Sequence, residues 1–126
     1  MAAKILVVDD EPNIRELAQL ILENEGYYVI AAANGVEAIQ KATEEMPDLV
    51  LLDVVMPGVS GLDTCRVLKG DGRTRSIPVI MFTVLGRKSD REDAEEAGCD
   101  GYLIKPFSAD SLLEEVKRHL KLEGKA

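Results

Sequence analysis

Positive charge is scarce in this chain: 15 lysines and arginines stand against 23 aspartates and glutamates, a formal net charge of −8. That balance excludes non-specific binding to nucleic acid or to an anionic membrane, since both need a basic face. It leaves room for one basic protein partner. Cysteine and histidine are almost missing, with two and one respectively. Cys65 and Cys99 form no disulfide framework, and there is no Cys/His cluster of the metal-binding kind, so a reducing, cytoplasmic setting is expected. No apolar run approaches the length that spans a membrane. Met1-Ala2-Ala3-Lys4 leads straight into a strand pattern, which predicts no signal peptide. The Gly-x-Gly pairs lack the rest of a phosphate-loop or dinucleotide motif. Linkers, low-complexity segments and repeats are absent too, and 126 residues suit one domain with one core, spanning 1–126 with its body at 4–121.

What is present is a set of short apolar runs that end in polar groups. Leu49-Val50-Leu51-Leu52 stops at Asp53, and Ile5-Leu6-Val7-Val8 stops at Asp9-Asp10. Runs of this length without polar interruption read as strands buried on both faces, as in a parallel sheet covered by helices. Tyr27–Ala32, Pro78–Phe82 and Gly101–Ile104 read as three more strands. Helical patterns separate them. One starts at Pro12 and carries Ile14, Leu17, Ala18, Ile21 and Leu22 on one face. Another starts at Asn34, with Glu37 placed as in a capping box and Ile39, Ala42, Thr43 and Met46 inward. A third opens near Ser60-Gly61 and buries Leu62, Cys65 and Leu68. A fourth, marked by Ser89 and Glu92, has only Ala94 and Ala97 to bury and is expected to be loosely held. A fifth, capped by Ser108 or Asp110, turns Leu112, Leu113, Val116 and Leu120 inward. Residues 70–76 read as an exposed polar loop, and His119 as a solvated helix residue.

Five βα units in strict alternation predict a doubly wound, flavodoxin-like (βα)5 sandwich with a parallel sheet in the order 2-1-3-4-5. Ligand sites in such sheets lie at the carboxyl ends of the strands. Four strands finish there with a polar group: Asp9 and Asp10, Asp53, Thr83, and Lys105. The first and third strands are neighbours at the switch point, so their three carboxylates should meet in one crevice. Clustered carboxylates need a cation or raised pKa values. An all-oxygen donor set favours a hard ion, Mg²⁺ or Mn²⁺. Asp53 would then be a nucleophile toward a phosphoryl group, with Lys105 and the Thr83 hydroxyl contacting that group.

These residues closely resemble the receiver domain of two-component response regulators. The likeness rests on Val7-Val8-Asp9-Asp10, on Asp53 with Met56-Pro57-Gly58 and Gly61, on Phe82-Thr83, and on Gly101-Tyr102 with Lys105-Pro106. It implies that Asp53 accepts a phosphoryl group from a histidine kinase, a histidine phosphotransfer protein or a small donor. It implies Mg²⁺ ligation by Asp10, Asp53 and the Val55 carbonyl, with Asp9 acting through water. It also implies a cis Lys105-Pro106 bond, and a switch in which Thr83 and Tyr102 move together and remodel the face of helix four, strand five and helix five. A receiver of this kind catalyses only its own phosphorylation and dephosphorylation. Its downstream target would be a protein that the sequence does not name. The same face could serve a homodimer, and its charges do not decide this.

The chain departs from the family pattern at Val84, where a small residue is common, and Val55 is apolar two positions after Asp53. Slow hydrolysis of the acyl phosphate is the expectation. Other readings compete. A lone Asp after a strand is commonly a turn cap. A metal-dependent phosphatase using an aspartyl phosphate would usually carry a second Asp where Val55 stands, and would need a cap domain. A flavin or nucleotide binder fits the fold but not a crevice lined by carboxylates. A degenerate receiver acting by contact alone is the remaining alternative.

Overall fold

The strand β3 (Leu49–Asp53) is buried at all five positions and forms the centre of the molecule. The computed structural model describes the backbone of residues 2–83 and 88–122, and their side chains except at 83, 88–90, 121 and 122. Along the chain run β1 (Lys4–Val8), α1 (Pro12–Asn24), β2 (Tyr28–Ala32), α2 (Gly35–Glu45), then β3 and α3 (Gly61–Gly70). They are followed by β4 (Val79–Thr83), α4 (Lys88–Glu96), β5 (Gly101–Ile104) and α5 (Ala109–Leu122). All pairings are parallel and the order is β2-β1-β3-β4-β5. This is the doubly wound, flavodoxin-like sheet that the alternation predicts.

The two-residue period of the strands sorts their side chains into two layers. Leu6, Val8, Val50, Leu52, Val79 and Met81 pack with Ala38, Ala42, Cys65, Leu68, Ala94 and Ala97, the inner faces of α2 and α3 and the α4 segment. Ile5, Val7, Leu49, Leu51, Ile80 and Phe82 pack with Ala18, Leu22, Leu112, Val116 and Leu120 of α1 and α5. Each of the larger chains contributes about 1.5–3 kcal/mol by leaving water. Continuing the period past the strand ends carries Asp9, Asp53 and Lys105 toward the α1/α5 side. The register then brings them together: Val8 pairs with Leu52, Asp53 with Phe82, and Phe82 with Leu103.

Helix starts follow side-chain chemistry. Asn34 Oδ1 accepts the Glu37 N–H at 2.9 Å, and Glu37 Oε1 in return accepts the Ala33 N–H at 2.6 Å, one residue earlier than a capping box requires. Ser60 caps α3 through the Asp63 N–H. Ser108, and not Asp110, caps α5 through the Ser111 N–H.

Several local expectations are corrected. β2 begins at Tyr28, not Tyr27. Met46 is exposed because it ends α2 in the left-handed conformation. Leu17 is also exposed, and α1 is anchored by Ala18 and Leu22. Thr74 in the polar loop is buried, its hydroxyl donating to the Leu68 carbonyl at 2.6 Å and closing the end of α3. His119 is buried at 5% exposure, close to Glu115 Oε2. The ring fits because Gly101 opposite it has no side chain; a Cβ there would collide with His119 Nε2.

Candidate phosphoacceptor site

Asp9, Asp10 and Asp53 each offer a carboxylate oxygen, and these atoms lie within 4.8 Å of one another. Among the described residues this is the one cluster of three or more potential metal-ligating side chains. Two of the acids come from the β1 end and one from the β3 end, as the switch-point argument requires. Asp9 is fully buried, Asp53 is 6% exposed and Asp10 is exposed.

Lys105 enters from the β5 end. Its Nζ lies 2.6 Å from Asp9 Oδ2 and 3.4 Å from Asp53 Oδ2. The ammonium also sits over the Phe82 ring, 4.9 Å from its centre. The Lys105–Pro106 peptide is cis. Asp9 Oδ1 accepts the Glu11 N–H at 2.9 Å, so both of its carboxylate oxygens are held by protein donors. Burial pushes the Asp53 carboxyl up to about 6; the Lys105 ammonium opposes that rise and the Asp9 charge adds to it.

Val55 also reaches the site. Its N–H lies 3.4 Å from Asp53 Oδ1, and its side chain is 59% exposed. It helps line a cavity of about 450 Å³ above Asp53, with Asp10, Glu11, Ile14, Lys105 and Pro106. Glu11, Ile14 and Phe82 were not singled out as site residues by the sequence reading, because only tertiary packing brings them to the crevice. Gly61 lies behind the site: its N–H donates to the Val54 carbonyl at 2.8 Å, and a Cβ there would strike the Asp53 carbonyl oxygen. That contact requires glycine where the sequence reading had only a motif.

Of the two remaining predicted residues, one is described only in its backbone and the other stands apart from the cluster. Thr83 ends β4 in register with Ile104, and its side chain lies outside the described residues, as does Val84. Tyr102 is half-buried beneath Arg91, which sits 5.3 Å from its ring centre. It lines a different cavity, of about 530 Å³, with Arg91, Glu95, Asp100 and Arg118.

The chain and its fold both have matches among known proteins. A family model for the response regulator receiver domain matches residues 5–117. The chain belongs to that family. Among curated relatives of this receiver, the transcriptional regulatory protein ResD of Bacillus subtilis (strain 168) is 44% identical over 118 residues, which are 94% of this chain and 48% of ResD. The chain thus spans about half the length of the curated relatives it matches first. Among solved structures, the chemotaxis protein CheY4 of Vibrio cholerae superposes on this receiver with a TM-score of 0.92 at 32% identity, covering 95% of this chain and all of that one. The receiver domain of the sensor histidine kinase PA1611 of Pseudomonas aeruginosa PAO1 superposes with a TM-score of 0.89 at 29% identity, covering 96% and 99%. That structure has a magnesium ion coordinated in its active-site cleft.

Proposed function

We propose that this receiver is a phosphorylation-activated switch in which Asp53 takes a phosphoryl group from a histidine kinase or a histidine phosphotransfer protein. The observation that carries this reading is the Asp9–Asp10–Asp53 cluster with Lys105 inside it. The donor set fits a hard divalent ion: three clustered carboxylates, no sulfur or imidazole, and one acid already pushed toward protonation. The magnesium in the cleft of the PA1611 receiver supports the same choice. In this reading Asp10, Asp53 and the Val55 carbonyl hold Mg²⁺ or Mn²⁺, and Asp9 reaches it through water. When bound, the ion supplies charge neutralisation and alignment.

The remaining work falls to the chain. An Asp53 oxygen attacks phosphorus, the P–N bond of the donor breaks, and the imidazole leaves with its electron pair. Lys105 moves its hydrogen bond from the carboxylates to a phosphoryl oxygen, and the Thr83 hydroxyl donates to another. Movement of Thr83 and Tyr102 then remodels the face of α4, β5 and α5, where a downstream protein or a second copy would read the state. Such a protein turns over no external substrate beyond its own phosphorylation and dephosphorylation. We place it in the cytoplasm, where its donors reside; no helix among the described residues is long and apolar enough to cross a membrane. The exposed Val55 and the bulk of Val84 favour a long-lived acyl phosphate. A half-life like that of receivers with a small residue after the threonine would remove this last point.

The test is intact mass after incubation with Mg²⁺ and acetyl phosphate. One phosphoryl group should appear on the wild type, and none on Asp53→Asn or in EDTA. Absence of both the adduct and beryllofluoride binding would overturn the proposal in favour of a receiver acting by contact alone. Steady turnover of a generic phosphatase substrate would overturn it in favour of an enzyme.

A further inference from the structure

Arg15 is a half-buried cation with no carboxylate partner among the described residues. Glu11, one helical turn earlier, could have paired with it. Instead Arg15 Nη1 donates to the Asp9 carbonyl oxygen at 2.7 Å, and this is the only hydrogen bond of its guanidinium among the described residues. That carbonyl and the Asp10 N–H belong to one planar peptide unit. Holding the oxygen therefore fixes the plane from which the Asp10 side chain departs. Asp10 has need of this. Its carboxylate is exposed and has no hydrogen-bond partner among the described residues, whereas Asp9 is tied by Glu11, Lys105 and Arg15 together.

We propose that Arg15 is a positioning residue for the divalent ion: it clamps the Asp9–Asp10 peptide so that the Asp10 carboxylate stays in its ligating place. This rests on the reading of the site as a metal-dependent phosphoacceptor. The charge of Arg15 makes the inference sharp. A cation near the site repels Mg²⁺, so removing charge alone tightens binding. Loss of positioning weakens it. The two roles predict opposite signs.

The experiment is calorimetric titration of the full chain with Mg²⁺ at neutral pH, using wild type, Arg15→Met and Arg15→Lys, with urea unfolding in EDTA as the check on folding. Arg15→Met should weaken Mg²⁺ binding on the order of tenfold, the usual effect of losing a partner that orients a ligand. Arg15→Lys should weaken it less, because an ammonium can still donate to the carbonyl. The half-saturating Mg²⁺ for Asp53 phosphorylation should rise in step, while the rate at saturating Mg²⁺ stays at the wild-type level. Unchanged or tighter binding by a folded Arg15→Met, or a rate loss that Mg²⁺ does not restore, would overturn the inference. Should Arg15→Met fail to fold, Arg15→Gln decides by the same sign. Wild-type protein whose Mg²⁺ binding is absent, or insensitive to Asp10→Asn, would overturn the parent reading and this one with it.

Discussion

Lys105 is held closer to Asp9 than to Asp53, at 2.6 Å against 3.4 Å. The lysine is 9% exposed and the aspartate fully buried, so neither can be removed without stranding the other. Breaking a buried pair by deleting one partner costs about 3–5 kcal/mol. Lys105→Met should therefore lower the unfolding free energy of the metal-free protein, measured by urea denaturation, by an amount in that range. In Mg²⁺ the loss should shrink, because the ion replaces the missing positive charge. Equal losses in EDTA and in Mg²⁺ would show that the lysine does not share its place with a cation.

The Asp53 carboxyl gives the site a pH signature. Burial raises it from 3.8 to about 6, against the pull of Lys105. The folded state thus holds a proton that the unfolded state has already released. This contribution to stability is complete below pH 3.8 and is lost as pH rises through about 6. Its size is at most about 3 kcal/mol at 1.36 kcal/mol per pH unit, and it opposes the usual acid destabilisation. Asp53→Asn should therefore stabilise the metal-free protein at neutral pH, with the advantage shrinking toward pH 4. Mg²⁺ binding should weaken as pH falls through 6, because proton and metal compete for one oxygen. Denaturation series with and without Mg²⁺ would measure both.

Gly61→Ala tests the wall behind Asp53, the proposed phosphoacceptor. The added methyl would sit 2.7 Å from Val54 Cα as well as against the Asp53 carbonyl, and backbone atoms cannot turn aside as a side chain can. Overpacking costs about 1–3 kcal/mol or more. The expected outcome is a loss at the upper end of that range, with slower Asp53 phosphorylation at saturating Mg²⁺. A variant with native stability and rate would show that the loop yields freely.

Thr74→Val separates packing from hydrogen bonding. The two side chains have similar shape, but valine leaves the Leu68 carbonyl without the 2.6 Å donor it now has. A buried acceptor left unpaired costs about 1–3 kcal/mol. Chemical denaturation should show a drop in that range, with phosphorylation at saturating Mg²⁺ unaffected.

Much of the site could be read directly because it stands at the ends of uninterrupted apolar strands. The β1 and β3 runs read as buried strands by their length and apolar content, and their terminal acids converge once the order is 2-1-3-4-5. What escaped the sequence depends on residues far apart in the chain. His119 reads as solvated until Gly101 vacates the space opposite it. Thr74 reads as a loop residue until its hydroxyl finds the end of α3. The preference of Lys105 for Asp9 is a difference of under an ångström, too fine for any sequence pattern to carry. Arg15 looks like any charged residue on an amphipathic helix.

The complete burial of β3 has a consequence in time. Amides of a strand enclosed on both faces exchange with solvent only when the whole fold opens, whereas a helix whose described side chains bury only Ala94 in the core can detach in part and return. Deuterium uptake should therefore proceed on widely separated clocks, slowest through Leu49–Asp53 and far faster along the 91–96 stretch of α4. In the proposed switch, the residue that would carry the phosphoryl group is mounted on the part of the molecule expected to be the most persistent. The segment that would report it is expected to reopen far more readily.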